Sequence, residues 1–174
     1  MFENTPPQSL PTARRTPRGA LAAIAAGIAL TVAAVAVVAV DHARGGLLAE
    51  HIRAGYPSYS QARIDAAATL WLVYLSVVGA LGIVTWAATA WAVRTGRRWA
   101  PLLAAAAFVV GTGIAVFNVV ITDTSGDTGL PPLLGAVGLL PSLAGLVTLA
   151  LLWRDGRRGR SAAVSRPGAQ PAHR

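Results

Sequence analysis

The chain of 174 residues contains no cysteine and no lysine, and its fifteen basic residues are all arginine. The lack of cysteine excludes disulfides, thiolate metal ligands, thiol nucleophiles and a lipidated N-terminal cysteine. Charged residues are also scarce, at 13% against 54% hydrophobic, and the mean hydropathy is +0.54. Because this composition is too apolar for an ordinary soluble domain, we expect a membrane protein. Arginine without lysine, beside abundant alanine, glycine and valine, indicates a GC-rich bacterial genome.

Four long runs lack any charged residue, at about residues 19–40, 66–93, 99–121 and 133–153. The first run would form a helix of about 33 Å, which matches a hydrocarbon core of about 30 Å. A cleaved signal peptide is the alternative for this run, although its apolar region would span only about 7–15 residues. The sequence therefore predicts an all-α membrane protein with a four-helix transmembrane bundle.

Arginines distinguish the two sides of the predicted membrane domain, residues 19–153. The tails at residues 1–18 and 154–174, together with the turn after the second span, hold twelve arginines against two acids. The outer connections at residues 41–65 and 122–132 hold three arginines against five acids. Under the positive-inside rule, both termini are cytoplasmic in a multi-pass protein of the cell membrane. We expect both tails to be disordered, because few apolar residues are available to bury.

Six arginines next to the spans are the main topology determinants, and they can also bind anionic lipid headgroups. They are Arg94, Arg97, Arg98, Arg154, Arg157 and Arg158. The computed isoelectric point near 11.6 does not indicate nucleic-acid binding, because these charges lie in short pieces beside apolar runs. The turn after residue 93 is so short that we expect the second and third spans to be antiparallel neighbours.

Small residues recur along the spans and are candidates for close helix packing. They are Gly19, Ala23, Gly27, Thr31, Ser76, Gly79, Gly82, Gly138, Ser142 and Gly145. Aromatic residues lie at both ends of the second span, with Trp71 and Tyr74 at one end and Trp86 and Trp91 at the other. This pattern predicts an interfacial aromatic belt.

Asn118 is the only asparagine, glutamine or ionisable residue well inside an apolar run. One interpretation is a polar contact to a substrate or ion. The other is an interhelical hydrogen bond or a position at headgroup depth. The runs contain no carboxylate or histidine for proton-coupled transport, and no histidine to ligate haem.

The outer connections carry the remaining groups that could bind a metal or act on lipid. They are Asp41, His42, Glu50, His51, Asp123 and Asp127. His42 and His51 lack a third ligand at short helical spacing. Residues 123–127 resemble the start of a calcium loop without its glycine and glutamate, which supports at most a weak surface cation site. We assign no catalytic, cofactor-binding or metal-binding residue.

Three motifs occur together in residues 56–154: GALG at 79–82 followed by Trp86 and Trp91, D-x-S-G at 123–126, and LPSLAG at 140–145 ending in LLWR at 151–154. In these motifs the chain resembles a group of small, uncharacterised four-span integral membrane proteins from GC-rich bacteria. The resemblance implies the four-span fold and no particular activity.

Abundant packing residues without reactive ones favour a non-enzymatic membrane scaffold or accessory subunit. Its small-residue faces would bind copies of itself or another membrane protein. The alternative is a small transporter or channel subunit with a pathway near Asn118 and Pro141. A third hypothesis is an enzyme that acts on lipid at the outer face through His42, His51 and the aspartates.

Overall fold

The computed structural model describes residues 18–124 and 126–164, with side chains as far as residue 158. This part of the chain forms five helices: α1 (Arg18–Ala43), α2 (Leu47–Gly55), α3 (Gln61–Arg94), α4 (Ala100–Val120) and α5 (Pro132–Val164). Its only strand-like pairing is an isolated bridge between Thr122 and Thr128. The all-helical prediction is therefore confirmed. Predictions for residues 1–17 and 165–174 lie outside the described residues.

Four of the helices are long and apolar enough to cross a membrane: α1, α3, α4 and the part of α5 that ends at Arg158. They correspond to the four apolar runs of the sequence. α3 begins at Gln61, before the apolar run that starts at residue 66, and α1 continues to Ala43. The shorter α2 lies in the connection at residues 41–65.

The C-terminal end of α5 differs from the prediction. A disordered tail is expected from residue 154, whereas the helix continues to Val164. Arginine and alanine, which are frequent in this extension, have high helix propensity. A helix that has already formed also extends at little cost, because initiation is the unfavourable step. The helix therefore continues past the predicted tail boundary at residue 154.

Glycine ends both α1 and α3. Gly45 and Gly96 have φ angles of 61° and 62°, in the left-handed region that favours glycine. In each turn the next residue, Gly46 or Arg97, donates its N–H to the carbonyl five residues earlier, at 3.0 Å. This pattern is the Schellman motif, which satisfies the last carbonyls of a helix. The two glycines thus direct the chain into α2 and towards α4.

The four long helices form a ring in which α1 lies between α3 and α5, and α4 lies between α5 and α3. α1 and α5 share the largest interface, and α3 and α4 share the smallest interface of the ring. α3 and α4 are thus neighbours, but each packs more extensively on another helix. The short turn joins their adjoining ends, while the closely packed Gly79 of α3 faces Val35 of α1.

Two apolar clusters lie at opposite ends of the ring. The turn cluster joins the start of α1 and α4 to the end of α3 and the later part of α5, and consists of Ala20, Ile24, Ala92, Val93, Ala100, Ala104, Leu149 and Leu152. The α2 cluster joins α2 to the starts of α3 and α5, and consists of Leu48, Ala49, Ile52, Ile64, Ala68, Leu130 and Leu134. The middle of the ring lies between these clusters.

Large apolar side chains also cover the outside of the four long helices. We call this surface the apolar belt; it includes Val73, Val77, Leu81, Val84, Leu102, Val109, Val110, Val116, Val120, Leu143, Leu146 and Val147. Leu102 is 73% exposed and Val110 is 61% exposed. The buried polar side chains of the described chain are Thr31, Thr89, Asn118 and Thr148. A water-soluble bundle has the reverse arrangement, with polar residues outside.

Candidate functional site

A cavity of about 190 Å³ lies in the middle of the ring, and all four long helices line it. Its wall includes Leu75 and Thr89 on α3, and Ala104 and Asn118 on α4. Each of these pairs spans about 21 Å of helix, at about 1.5 Å per residue. No charged side chain of the described residues lines the cavity. The cavity is therefore long, narrow and neutral.

Glycine on the wall creates this space. At Gly111 and Gly138, an added Cβ atom would meet nothing within 4 Å. A larger side chain at either position would therefore extend into the open space of the cavity. The sequence predicts that Gly138 packs against another helix, whereas an added Cβ atom there would meet no described atom within 4 Å. Gly138 lies on the cavity wall, and no neighbouring atom approaches closely enough to require a glycine.

Other glycines hold the helices together around the cavity. An added Cβ atom at Gly27 would overlap the Trp86 ring, and one at Gly79 would overlap the Val35 side chain. Both contacts join α1 to α3. At Gly145 of α5, an added Cβ atom would lie 3.0 Å from the Phe108 ring of α4. These positions require small residues for the helices to approach this closely.

The other predicted packing residues have less crowded surroundings. An added Cβ atom would lie 3.6 Å from Leu151 at Gly19 and 3.5 Å from the Thr31 methyl group at Gly82. Thr31 is buried and lines the cavity, as does the half-buried Ser142. Ala23 and Ser76 are half-buried.

Trp86 does not lie in an exposed aromatic belt. It is half-buried, packs against the turn cluster and lines the cavity. The interfacial prediction for Trp86 is therefore wrong, because Gly27 leaves room for the indole between α1 and α3. Trp91 does lie at the end of α3, where it is 51% exposed and 6.1 Å from the Trp99 ring.

Threonine hydroxyl groups on the wall are mostly satisfied by their own helices. Thr31, Thr85, Thr89 and Thr148 each donate to the carbonyl four residues earlier, at 2.8 Å. Because the hydroxyl hydrogen is donated within the helix, it is not available to a molecule in the cavity. Thr112 differs, because its Oγ1 atom is buried and has no hydrogen-bond partner among the described residues.

Asn118 is 7% exposed and lies near the end of α4. Its Oδ1 atom accepts a hydrogen bond of 3.0 Å from the Tyr74 hydroxyl group of α3. This bond is the interhelical contact that one interpretation of the sequence predicts. It is the only side-chain hydrogen bond of Asn118 within the described residues. Because Asn118 also lines the cavity, its Nδ2 donors are available to a molecule inside.

In the connection at residues 41–65, two of the candidate residues for chemistry, Asp41 and His51, hold α2 in place. The Asp41 carboxylate accepts hydrogen bonds from the N–H groups of Leu47 and Leu48, at 2.8 and 3.0 Å. His51 is hydrogen-bonded through Nε2 to the carbonyl group of Thr128. In the described residues, no three His, Asp or Glu side chains are placed to hold a metal ion together. Ser125 lies outside the described residues.

The arginines next to the spans lie at one end of the bundle. Arg94, Arg97 and Arg98 are exposed at the turn after α3, and the Arg97 guanidinium lies 5.3 Å from the Trp91 ring centre. Arg154, Arg157 and Arg158 are exposed on the extension of α5. Because α3 and α5 both end beside the turn cluster, these six residues share an end of the molecule.

The cavity itself could not be found from the sequence. The glycines at positions 79, 82, 111, 135, 138 and 145 were visible as small residues, and all of them line the wall. A glycine that permits close contact and a glycine that leaves open space look the same in a sequence. Comparisons with known protein families, curated proteins and solved structures find no match to this chain.

Proposed function

We propose that the protein is a bacterial four-span protein of the cell membrane, with both termini in the cytoplasm and related to the small four-span group that it resembles. The observation that carries this proposal is the apolar belt, together with buried hydroxyl and amide groups. Water would penalise such a surface, whereas lipid acyl chains would solvate it. Four sufficiently long and apolar helices support the same conclusion.

The orientation rests on the arginines. Arg94, Arg97 and Arg98 lie at the same end of the bundle as Arg154, Arg157 and Arg158. The opposite end carries α2 and the loop that contains Asp123 and Asp127. The positive-inside rule therefore assigns the arginine-rich end to the cytoplasm.

Reporter fusions test this orientation. A reporter that is active only in the cytoplasm should work after residue 98 and after residue 174, and should fail after residue 127. A reporter that is active only outside should give the opposite pattern. Activity of the outside reporter at either terminus would contradict the proposed topology.

Within the membrane, we assign the protein a non-enzymatic role as a scaffold or accessory subunit. The buried glycines are already occupied by contacts within the chain, so a partner must bind the apolar belt. Gly113 of α4 is exposed there, and an added Cβ atom would meet nothing within 4 Å. Val109, Val110 and Val116 lie near it on α4 and are also exposed. A second helix can approach closely at such a position.

Purification from native membranes in mild detergent tests this role, with mass spectrometry of the proteins that are recovered. We expect a second copy or another membrane protein with the wild-type chain. Gly113→Leu should lose it, because the added side chain blocks close approach. Ala36→Leu is the matched control, since Ala36 is exposed on α1. A wild-type monomer with no partner would contradict the proposal.

A transporter or channel subunit is the second candidate. It is favoured by one observation: Asn118 and Pro141 both line the cavity. Solute or ion flux in proteoliposomes that falls on Asn118→Ala would support this function, and a complete lack of flux would remove it.

A further inference from the structure

The cavity is longer than one leaflet of a bilayer and shorter than the whole hydrocarbon core. Its wall extends about 21 Å along α4 between Ala104 and Asn118. One leaflet of hydrocarbon is about 15 Å thick, half of a core of about 30 Å. The cavity, of about 190 Å³, is elongated along the helices, which is the shape of an extended chain.

The chemistry of the wall suits hydrocarbon. The described lining contains no charged group, and four of its threonine hydroxyl groups are bonded to their own helices. A free fatty acid would bring a carboxylate that needs a positive partner, and the wall offers none. An esterified chain has no such charge, so the wall favours a chain that belongs to a phospholipid.

Asn118 provides a polar group at one end of this apolar space. It lies two residues before the end of α4, beside the α2 cluster. The ester carbonyl of a phospholipid lies at a similar depth, just below the headgroup. The Tyr74 hydroxyl group holds the Oδ1 atom of Asn118 at 3.0 Å, which leaves Nδ2 to donate to that carbonyl.

The ring also offers a sideways route from lipid into the cavity. The two apolar clusters lie at its ends, and α3 and α4 share the smallest interface of the ring. Gly111 of α4 lines the cavity, and an added Cβ atom there would meet nothing within 4 Å. An acyl chain could enter between α3 and α4 without leaving the membrane.

We propose that the cavity binds one acyl chain of a bilayer phospholipid, whose ester carbonyl accepts a hydrogen bond from Asn118. This inference rests on the proposed membrane insertion and goes beyond the proposed subunit role. The bound lipid belongs to the bundle as a structural ligand and occupies the space that glycine side chains leave open.

Native mass spectrometry of the protein in mild detergent tests this proposal. After reconstitution with a phosphatidylglycerol of defined chain length and extraction, we expect one retained lipid per wild-type chain. Gly138→Leu should lose it, because the new side chain occupies the cavity. Ala36→Leu is the matched control, since Ala36 is exposed on α1 and does not line the cavity. Gly111→Leu is a second filling variant, should Gly138→Leu fail to fold.

The role of Asn118 is tested by competition between phosphatidylglycerols with ester-linked and ether-linked chains of equal length. The ether lipid lacks the carbonyl acceptor. We expect the wild-type chain to retain the ester lipid about two- to tenfold more than the ether lipid, the value of one neutral hydrogen bond. Asn118→Leu should abolish this preference, while Ser142→Ala, which removes another polar group from the wall, should keep it.

Lipid retention that is unchanged in both filling variants would overturn the site, and so would retention of a free fatty acid in place of phospholipid. Equal retention of ester and ether lipids by the wild-type chain would overturn the contact with Asn118. Failure of the membrane proposal is distinguishable, because the chain would then be recovered without detergent. Failure of the subunit role would show as a missing protein partner while the lipid is still retained.

Discussion

Glycine serves two different purposes in this bundle. At Gly27 and Gly79 it allows α1 and α3 to approach so closely that even a methyl group would overlap a neighbouring side chain. At Gly111 and Gly138 it leaves open space on the wall of the cavity. The same substitution should therefore change the free energy of unfolding in opposite directions at the two kinds of position.

We expect Gly27→Ala to lower the free energy of unfolding by about 1–3 kcal/mol, because the added methyl group displaces the rigid Trp86 ring. Gly138→Ala should raise it by about 0.5–1 kcal/mol, because alanine favours the helix and meets no neighbour. Reversible unfolding of each variant in mixed micelles with increasing SDS measures both changes. Equal destabilisation by the two substitutions would contradict the distinction.

At the scale of elements, α2 depends on a residue outside it. The helix begins at Leu47 with Gly46 before it, and glycine has no side chain to cap the first N–H groups. The carboxylate of Asp41, in the last turn of α1, accepts hydrogen bonds from two of them. The Schellman turn at Gly45 brings that carboxylate into position.

Asp41→Ala should destabilise α2 by about 1–2 kcal/mol, because the substitution removes a charged acceptor from the helix N-terminus. Hydrogen exchange of the α2 amides, measured by mass spectrometry, should become correspondingly faster. Asp65→Ala is a suitable control. The Asp65 side chain accepts a hydrogen bond from the exposed Gln61 side chain, so its loss should change stability by less than about 0.5 kcal/mol. Unchanged exchange in Asp41→Ala would show that the cap is dispensable.

The four long helices could be predicted from the sequence, whereas the extension of α5 and the orientation of Trp86 could not. Apolar length predicted four long helices, because each had to be long enough to cross a hydrocarbon core. The extension of α5 could not be predicted in this way, since residues 154–164 have no apolar face and owe their helix to the one before them. The orientation of the Trp86 side chain could not be predicted either, because it depends on Gly27, which is distant in sequence.

At the scale of the whole molecule, the apolar belt predicts how the bundle responds to charge. Val110→Arg places a charge in the middle of the outer face of α4, and should cost about 2.5–3.5 kcal/mol in a membrane. Ala62→Arg, at the exposed start of α3, should have little effect. The measurement is the amount of each variant in the membrane fraction together with its SDS unfolding curve. A bundle surrounded by water would tolerate both substitutions equally.

The site was less predictable than the fold at this scale. Asn118 could be selected from the sequence because it is the only strongly polar residue of its kind in an apolar run. Its partner Tyr74 could not, since nothing in the sequence gives the rotation of α3 relative to α4. Thr112, whose hydroxyl group has no hydrogen-bond partner among the described residues, could not be predicted either. In the sequence it looks the same as the four other threonines of the wall, which are bonded to their own helices.

The ring order has a consequence for biogenesis. A ribosome delivers α1 first and α5 last, yet these two helices share the largest interface of the bundle. Until translation reaches the end of α5, α1 has only α2 and α3 to pack against, and α4 lacks its main partner. The fold should therefore mature only after α5 has been synthesised, and chains truncated before residue 132 should be removed by quality-control proteases.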